Sequence, residues 1–176
     1  MGRKIALAAF AILTAAFFLV DLEPRFAPPP LGIEVSERAR RLHEEAIVID
    51  LHVDSLLWPR DLAREDQGGQ VDFPRMRRGG LDAAAFTVPT RFFGAAGLKA
   101  FHDLWPPATW FSPYERLRYQ LDKTSSWTDA DLAPASSAIR KNHETRRLSY
   151  FHGIEGAHAL EGDLSLVSEL RERGVL

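Results

Sequence analysis

Three stretches of the chain carry the dense apolar pattern of buried β-strands. We predict strands at residues 46–53, 81–88 and 148–155. The second stretch follows Gly79-Gly80 and is ended by Pro89, which marks its limits. Short apolar runs of this kind, separated by helical segments, are typical of parallel strands that are covered on both faces.

Helix start signals lie between these stretches. Ser36 is expected to cap a helix that runs to about Glu45, with Ala39 and Leu42 on its inner side. The run SPYE at residues 112–115 predicts another helix, because serine suits the N-cap, proline the first position and glutamate a capping box. Asp163 is expected to cap a final helix.

The order of these elements indicates a parallel α/β architecture that is incomplete in this chain. The aromatic, Gly- and Pro-rich stretch from Arg91 to Trp110 is predicted to be a long irregular loop. Val175 and Leu176 resemble the first residues of a further strand. Three strands are too few to close a barrel or to cover both faces of a parallel sheet.

The N-terminus carries the pattern of an export signal. A basic MGRK is followed by an apolar run from Ile5 to Val20. We predict a signal peptide or an uncleaved signal-anchor at residues 1–24, a Pro-rich linker at 25–35 and the globular part at 36–176. The protein is therefore expected to be exported, and to be membrane-anchored, periplasmic or extracellular.

Composition narrows the function classes. The 22 Lys and Arg residues are scattered and the net charge is −2, so we expect no nucleic-acid partner. The absence of cysteine excludes disulfides, thiol catalysis, zinc ribbons and a lipidated cysteine.

Metal-capable side chains recur at alternate positions of the first predicted strand. In IVIDLHVDSLLW, at residues 47–58, Asp50, His52 and Asp54 share one face. His52 and Asp54 lie near the C-terminal end, where parallel α/β proteins build their sites, and their N and O donors suit Zn²⁺. Asp50 lies deeper and is a candidate to accept a hydrogen bond from the His52 ring, which would orient that ring towards the metal without Asp50 binding the metal itself. A polar strand end with a hydrogen-bonded histidine is the alternative for this pair alone.

A second carboxylate ends the third predicted strand. In FHGIEGAHAL, Glu155 lies between glycines that allow close approach, and it could bridge two metal ions. A turn residue or a helix N-terminal charge is the alternative interpretation. His152 has the opposite strand parity and is expected to face the helix layer. His158 follows the strand end, where a structural or supporting role is expected.

Three blocks of the chain together resemble a known family. IVIDLHVDSLLWPRDL, VDFPRMRRGGLDAAAFTVPT and AIRKNHETRRLSYFHGIEGAHALEGDLSLVSELRERGVL are similar, in order and spacing, to successive blocks of the membrane dipeptidase (renal dipeptidase, peptidase M19) family. The resemblance implies the N-terminal part of a TIM (β/α)8 barrel of the metal-dependent hydrolase type. It also implies two zinc ions and hydrolysis of a dipeptide substrate.

Carried over to this chain, the resemblance makes His52 and Asp54 ligands of the first zinc and Glu155 the bridging, catalytic glutamate. The ligands of the second zinc and the substrate-binding residues lie outside the sequence. At most one zinc ion is therefore expected on the residues present here, and the stretch alone is expected to be inactive.

Two other functions stay open. The chain could be a membrane-tethered, non-catalytic remnant or interaction module, because an unclosed sheet exposes strand edges that invite pairing. It could also belong to another amidohydrolase-type metal hydrolase that acts on a lactone or a cyclic amide. A homodimer is compatible with either function.

Overall fold

The structure is a computed structural model that describes residues 2–20, 32–65, 68–91 and 94–176. Its helices are α1 Gly2–Leu19, α2 Glu37–Glu45, α3 Phe73–Gly79, α4 Ala95–His102, α5 Ala108–Phe111, α6 Pro113–Asp122, α7 Ser136–Glu144 and α8 Leu166–Glu172. Its strands are β1 Ile49–Val53, β2 Ala83–Pro89, β3 Ala130–Leu132 and β4 Leu148–Glu155. Short 3₁₀ turns cover Ser55–Leu57, Lys123–Ser126 and Ala157–Leu160.

The four strands form one parallel sheet in the order β1-β2-β4-β3. β2 is central, and its seven residues pair with β4 from Ala83–Ser149 to Pro89–Glu155. The three predicted strands and the parallel α/β architecture are confirmed. Strand β3 was not predicted, because its three residues, ADL, are too few to show a pattern.

The outer edge of β4 is shared by two segments. β3 pairs with Leu148–Tyr150 in the first half of the strand. Further along, His152 forms a parallel bridge with Val175, and the backbone N–H of Leu176 donates to the carbonyl of His152. This single bridge agrees with the pairing expected of a further strand, but the described residues form no strand there, so the strand at Val175 and Leu176 stays a prediction.

The main core lies on one face of the sheet and is rich in aromatic rings. Trp127 makes edge contacts with Phe73, Phe86 and Tyr150, at centroid distances of 5.0, 4.8 and 4.9 Å. Every residue of β2 is buried. Burying each large apolar side chain contributes about 1.5–3 kcal/mol, so this face anchors the central strand that separates β1 from β4.

Helix α2 begins and ends as predicted, but it does not face the core. The Ser36 hydroxyl accepts a hydrogen bond from the Ala39 backbone N–H at 3.2 Å, which confirms the cap. All residues of α2 are exposed, and Leu42 is 57% exposed. The prediction that one side of this helix packs against the core was therefore wrong. The helix is instead tied to α3 by its polar edge, where His43 Nε2 donates to the carbonyl of Gly79 at 2.9 Å.

The stretch predicted to be a long loop contains two helices, so that prediction was wrong. Helix α4 buries Ala96 and Ala100 against Leu57 and Trp105. The alanines that drive this packing stand among Gly, Pro and aromatic residues, which indicated irregular structure. Tertiary packing therefore outweighed the local turn signals.

The prediction that Asp163 caps the final helix was wrong. Its Oδ1 accepts hydrogen bonds from the backbone N–H and the hydroxyl of Ser165 at 2.9 and 2.7 Å. These contacts form a turn before the helix, which begins at Leu166 with Ser165 at the N-cap position. The competing side-chain turn is a common alternative for aspartate at such positions.

The N-terminal apolar segment forms helix α1, whose residues are exposed from Ile5 onward. The ring of Phe17 makes an edge contact with His102 of α4 at 5.2 Å. Across the described residues, the structure has no helix of sufficient length and apolar character to span a bilayer. The predicted spacer at Pro28-Pro29-Pro30 lies outside the described residues. Export and membrane attachment stay predictions.

Candidate metal centre

Two strands that flank β2 bring the candidate metal ligands to the same edge of the sheet. His52 lies within β1, and Asp54 directly follows that strand. Glu155 is the last residue of β4. Because β1 and β4 both run parallel to β2, their C-terminal ends lie at the same edge of the sheet, on either side of β2. A register irregularity in β1 between Asp50 and Val53 lies at the site itself.

The three side chains converge. His52 Nε2 lies 2.8 Å from Glu155 Oε1 and 3.5 Å from Asp54 Oδ1. One ligand atom from each residue lies within 4.8 Å of the other two. The side chains are 62%, 39% and 41% exposed for His52, Glu155 and Asp54, so the cluster is open to solvent on one side.

This donor set fits one divalent cation. It offers one imidazole nitrogen and two carboxylate oxygens, which suit Zn²⁺ and related ions. Three protein ligands leave a coordination position for water or substrate, as catalytic zinc sites require. The two carboxylates face a single imidazole, and a bound cation would balance their charge.

Thr87 is a residue of the site that was not predicted. Its hydroxyl donates a 2.5 Å hydrogen bond to Asp54 Oδ1 from the neighbouring strand β2. Thr87 is 7% exposed. The available signal was a lone hydroxyl in the otherwise apolar sequence AAAFTVP, but nothing in the sequence places it beside Asp54.

Of the two predicted supporting residues, Asp50 lines the same cleft as His52 and Asp54, and His158 follows Glu155 by three residues. Asp50 Oδ1 accepts a 3.0 Å hydrogen bond from the backbone N–H of His52, so its observed contact is with the main chain. The exposed His158 ring packs over Gly156, where a Cβ atom would lie 2.9 Å from Nδ1. Roles for Asp50 and His158 towards a metal stay predictions.

His152 lies on the opposite face of β4, as expected from strand parity. It is 2% exposed, and its Nδ1 donates to the carbonyl of Arg173 at 2.9 Å. Burial lowers the pKa of His152, and the hydrogen bond to Arg173 partly opposes this shift. The residue thus serves the packing between β4 and the segment after α8.

The segment after Asp54 is held in place by a buried lysine. Lys123 Nζ donates to the carbonyl of Leu56 at 2.6 Å and lies 5.0 Å from the centre of the Trp105 ring. Burial lowers the pKa of Lys123 to about 8, and the nearby Asp103 carboxylate partly opposes this shift. This contact links the turn that follows β1 to the end of α6.

A cleft of about 410 Å³ opens beside His52 and Asp54. The cleft is also lined by Trp58, Arg60 and Val71. This volume lies in the range of small-molecule sites, so His52 and Asp54 face a space that a small molecule could enter.

The fold and the cluster together define a class: a parallel α/β protein with a metal-capable triad at the carboxyl edge of its sheet. Residues 36–176 match the family described as Membrane dipeptidase (Peptidase family M19). The chain belongs to this family, and the predicted family membership is confirmed.

A relative of known sequence shows how much of a longer protein the chain covers. Dipeptidase aclJ of Aspergillus oryzae is 27% identical over 194 residues, which span 98% of this chain and 44% of that protein. The chain therefore spans less than half the length of this relative.

Two solved structures share the fold at low sequence identity. The probable dipeptidase PvdM from Pseudomonas aeruginosa aligns with a TM-score of 0.58 at 18% identity, over 79% of this chain and 35% of that one. A metallo peptidase from Rhodobacter sphaeroides, liganded with a phosphinate mimic of the dipeptide L-Ala-D-Ala, aligns with a TM-score of 0.51 at 20% identity, over 73% and 43%. The predicted fold class, part of a TIM barrel of the metal-dependent hydrolase type, is confirmed.

Proposed function

We propose that this chain carries one half of the metal site of a zinc-dependent dipeptidase. The observation that supports this proposal is the convergence of His52, Asp54 and Glu155 from two separate strands, within 4.8 Å of one another. Family membership supports the dipeptide as substrate. That the chain belongs to a metallopeptidase family does not depend on which metal the site binds.

Each of the three residues has a distinct task in this proposal. His52 binds through Nε2, the nitrogen that already faces Glu155 and Asp54. Asp54 adds an oxygen whose direction is set by its contact with Thr87. Glu155 offers two carboxylate oxygens at the mouth of the site, which suits a bridging, catalytic role. A zinc ion held there would supply Lewis acidity towards a peptide carbonyl and lower the pKa of a bound water.

The metal is tested by analysis of the purified protein. We expect close to one zinc per chain, and we expect His52→Ala to lower zinc affinity by at least about 10- to 100-fold because it removes the only nitrogen ligand of the triad. His43→Ala is the matched control, since that imidazole contacts Gly79 beyond the N-terminal end of β2. Wild-type protein without zinc would contradict the proposal and favour a non-catalytic interaction module.

Dipeptide hydrolysis is measured separately, on the longest form of the protein that the gene encodes. A supply of zinc should raise the rate, and a chelator should abolish it. Hydrolysis of a lactone or a cyclic amide, with no action on dipeptides, would instead favour another amidohydrolase-type activity.

We also infer that the protein is exported. The basic MGRK and the apolar helix α1 support this inference. Cell fractionation should find the wild type outside the cytoplasm, whereas a variant without residues 1–24 should stay inside. Equal distribution of the two forms would contradict export.

A further inference from the structure

Thr87 occupies the position between the two strands that carry the metal ligands. It lies on β2, which pairs with β1 on one side and with β4 on the other. Its hydroxyl donates to Asp54 Oδ1 at 2.5 Å, and the same oxygen lies 3.5 Å from His52 Nε2. A nearly buried hydroxyl therefore contacts the carboxylate of Asp54, the one ligand of the three that lies beyond the end of its strand.

The neighbouring strand leaves room for this arrangement. Thr87 pairs with Gly153 on β4, two residues before Glu155. A Cβ atom at Gly153 would lie 3.3 Å from Thr87 Cγ2, which is tighter than ordinary van der Waals contact. Threonine is β-branched and has few accessible rotamers. The absence of a side chain at 153 thus lets the Thr87 methyl point towards β4 and the hydroxyl towards β1.

We infer that Thr87 is a positioning residue for the metal site. Its hydroxyl occupies one lone pair of Asp54 Oδ1 and stops the carboxylate from rotating away from His52 and Glu155. Hydrogen bonds to a ligating carboxylate from outside the coordination sphere typically change metal affinity by about 10- to 100-fold. This inference rests on the proposed function, because it requires that Asp54 binds a metal.

The test compares substitutions at Thr87 by zinc competition against a chromophoric chelator. Thr87→Val keeps the shape and removes the hydroxyl, so zinc affinity should fall by about 10- to 100-fold. Thr87→Ser restores a hydroxyl and should return the affinity close to that of the wild type. With Co²⁺ in place of zinc, Thr87→Val should also change the visible absorption spectrum, whereas Thr87→Ser should preserve it.

Two further variants separate positioning from general effects on stability. Thr109→Val removes another buried hydroxyl, one that donates to the carbonyl of Pro106, and it should leave zinc affinity unchanged. Gly153→Ala keeps the Thr87 hydroxyl but crowds its methyl group, so it should also weaken zinc binding. Circular dichroism checks that each variant is folded, and Gly153→Ala provides the comparison if Thr87→Val does not fold.

The outcomes distinguish this inference from the proposed function. If wild-type protein binds zinc and both Thr87→Val and Gly153→Ala bind it equally well, the role of Thr87 is overturned while the metal site stands. If the wild type binds no zinc, the proposed function itself fails. If Thr109→Val weakens binding as much as Thr87→Val, the effect is one of stability, and positioning is overturned.

Discussion

At the scale of single residues, Lys123 is a side chain whose charge the fold clearly disfavours. Burial lowers its pKa from 10.5 in a solvated lysine to about 8. The carbonyl of Leu56 and the Asp103 carboxylate compensate only in part for the lost hydration. Lys123 lies at a point where its hydrogen bond to Leu56 fixes the chain just beyond Asp54.

This burial predicts a pH dependence of stability. Between pH 8 and 10.5 the unfolded chain holds a proton on Lys123 that the folded chain has lost, so this group makes folding more favourable as pH rises. Above pH 10.5 Lys123 is neutral in both states, so it no longer makes stability depend on pH. Below pH 8 it is charged in both states, and the folded protein bears the full cost of burying that charge. Wild-type protein should gain up to about 3 kcal/mol across this interval relative to Lys123→Met, measured by urea denaturation.

The comparison with Lys123→Met isolates this group, because the other titratable residues are the same in both proteins. Lys141→Met, which alters an exposed lysine of α7, should show the same pH dependence as the wild type. Parallel curves for wild type and Lys123→Met would show that Lys123 is charged in the folded state at pH 9.

The residues of the site were predictable only within each strand. The two-residue period of a strand places His52 and Asp54 together, and its parity places His152 away from Glu155. The contact between Thr87 and Asp54 depends on which strands are neighbours and on their register. Those features come from the packing of the whole sheet and leave no local pattern in the sequence.

At the scale of elements, two serine caps test how strongly each helix is coupled to the core. The Ser112 hydroxyl accepts from the Glu115 backbone N–H at 3.0 Å and donates to Glu161 Oε1 at 2.6 Å. Its helix, α6, buries Leu117 and Leu121. The Ser36 hydroxyl makes the same type of cap on α2, whose residues are all exposed.

Substitution of the two caps should therefore have unequal effects. Ser112→Ala should lower the free energy of unfolding by about 1–2 kcal/mol, because α6 cannot fray without exposing the core. Ser36→Ala should change it by less than about 0.5 kcal/mol, since α2 can unwind while the rest stays folded. Urea denaturation followed by tryptophan fluorescence measures both, and equal losses would contradict this view of α2.

The elements that were predicted correctly are those whose signals are local. The serine–proline start of α6 and the apolar run of β4 are complete within a few residues. Strand β3 and helix α4 form because of distant partners: Ala130 pairs with Leu148, and Ala100 packs beside Leu57. Neither partner lies close enough in sequence to reveal the element.

At the scale of the whole molecule, the candidate metal centre joins two strands that do not pair with each other. β1 and β4 are both bonded to β2, and His52 of β1 contacts Glu155 of β4 directly at the carboxyl edge. A cation bound there would act as a cross-link across the central strand. Its effect on stability should therefore extend to both strands.

Hydrogen exchange can detect this cross-link. At a zinc concentration 100 times the dissociation constant, binding stabilises the folded state by about 2.7 kcal/mol, or roughly 100-fold slower exchange for amides that open only when the site breaks. Amides of β1 and β4 should both gain this protection, while those of the exposed helix α2 should exchange as before. Protection of β1 alone would mean that the cation is held by His52 and Asp54 without Glu155. Glu155→Gln supplies the matched comparison, because it keeps the shape of β4 and weakens the bond that ties that strand to the metal.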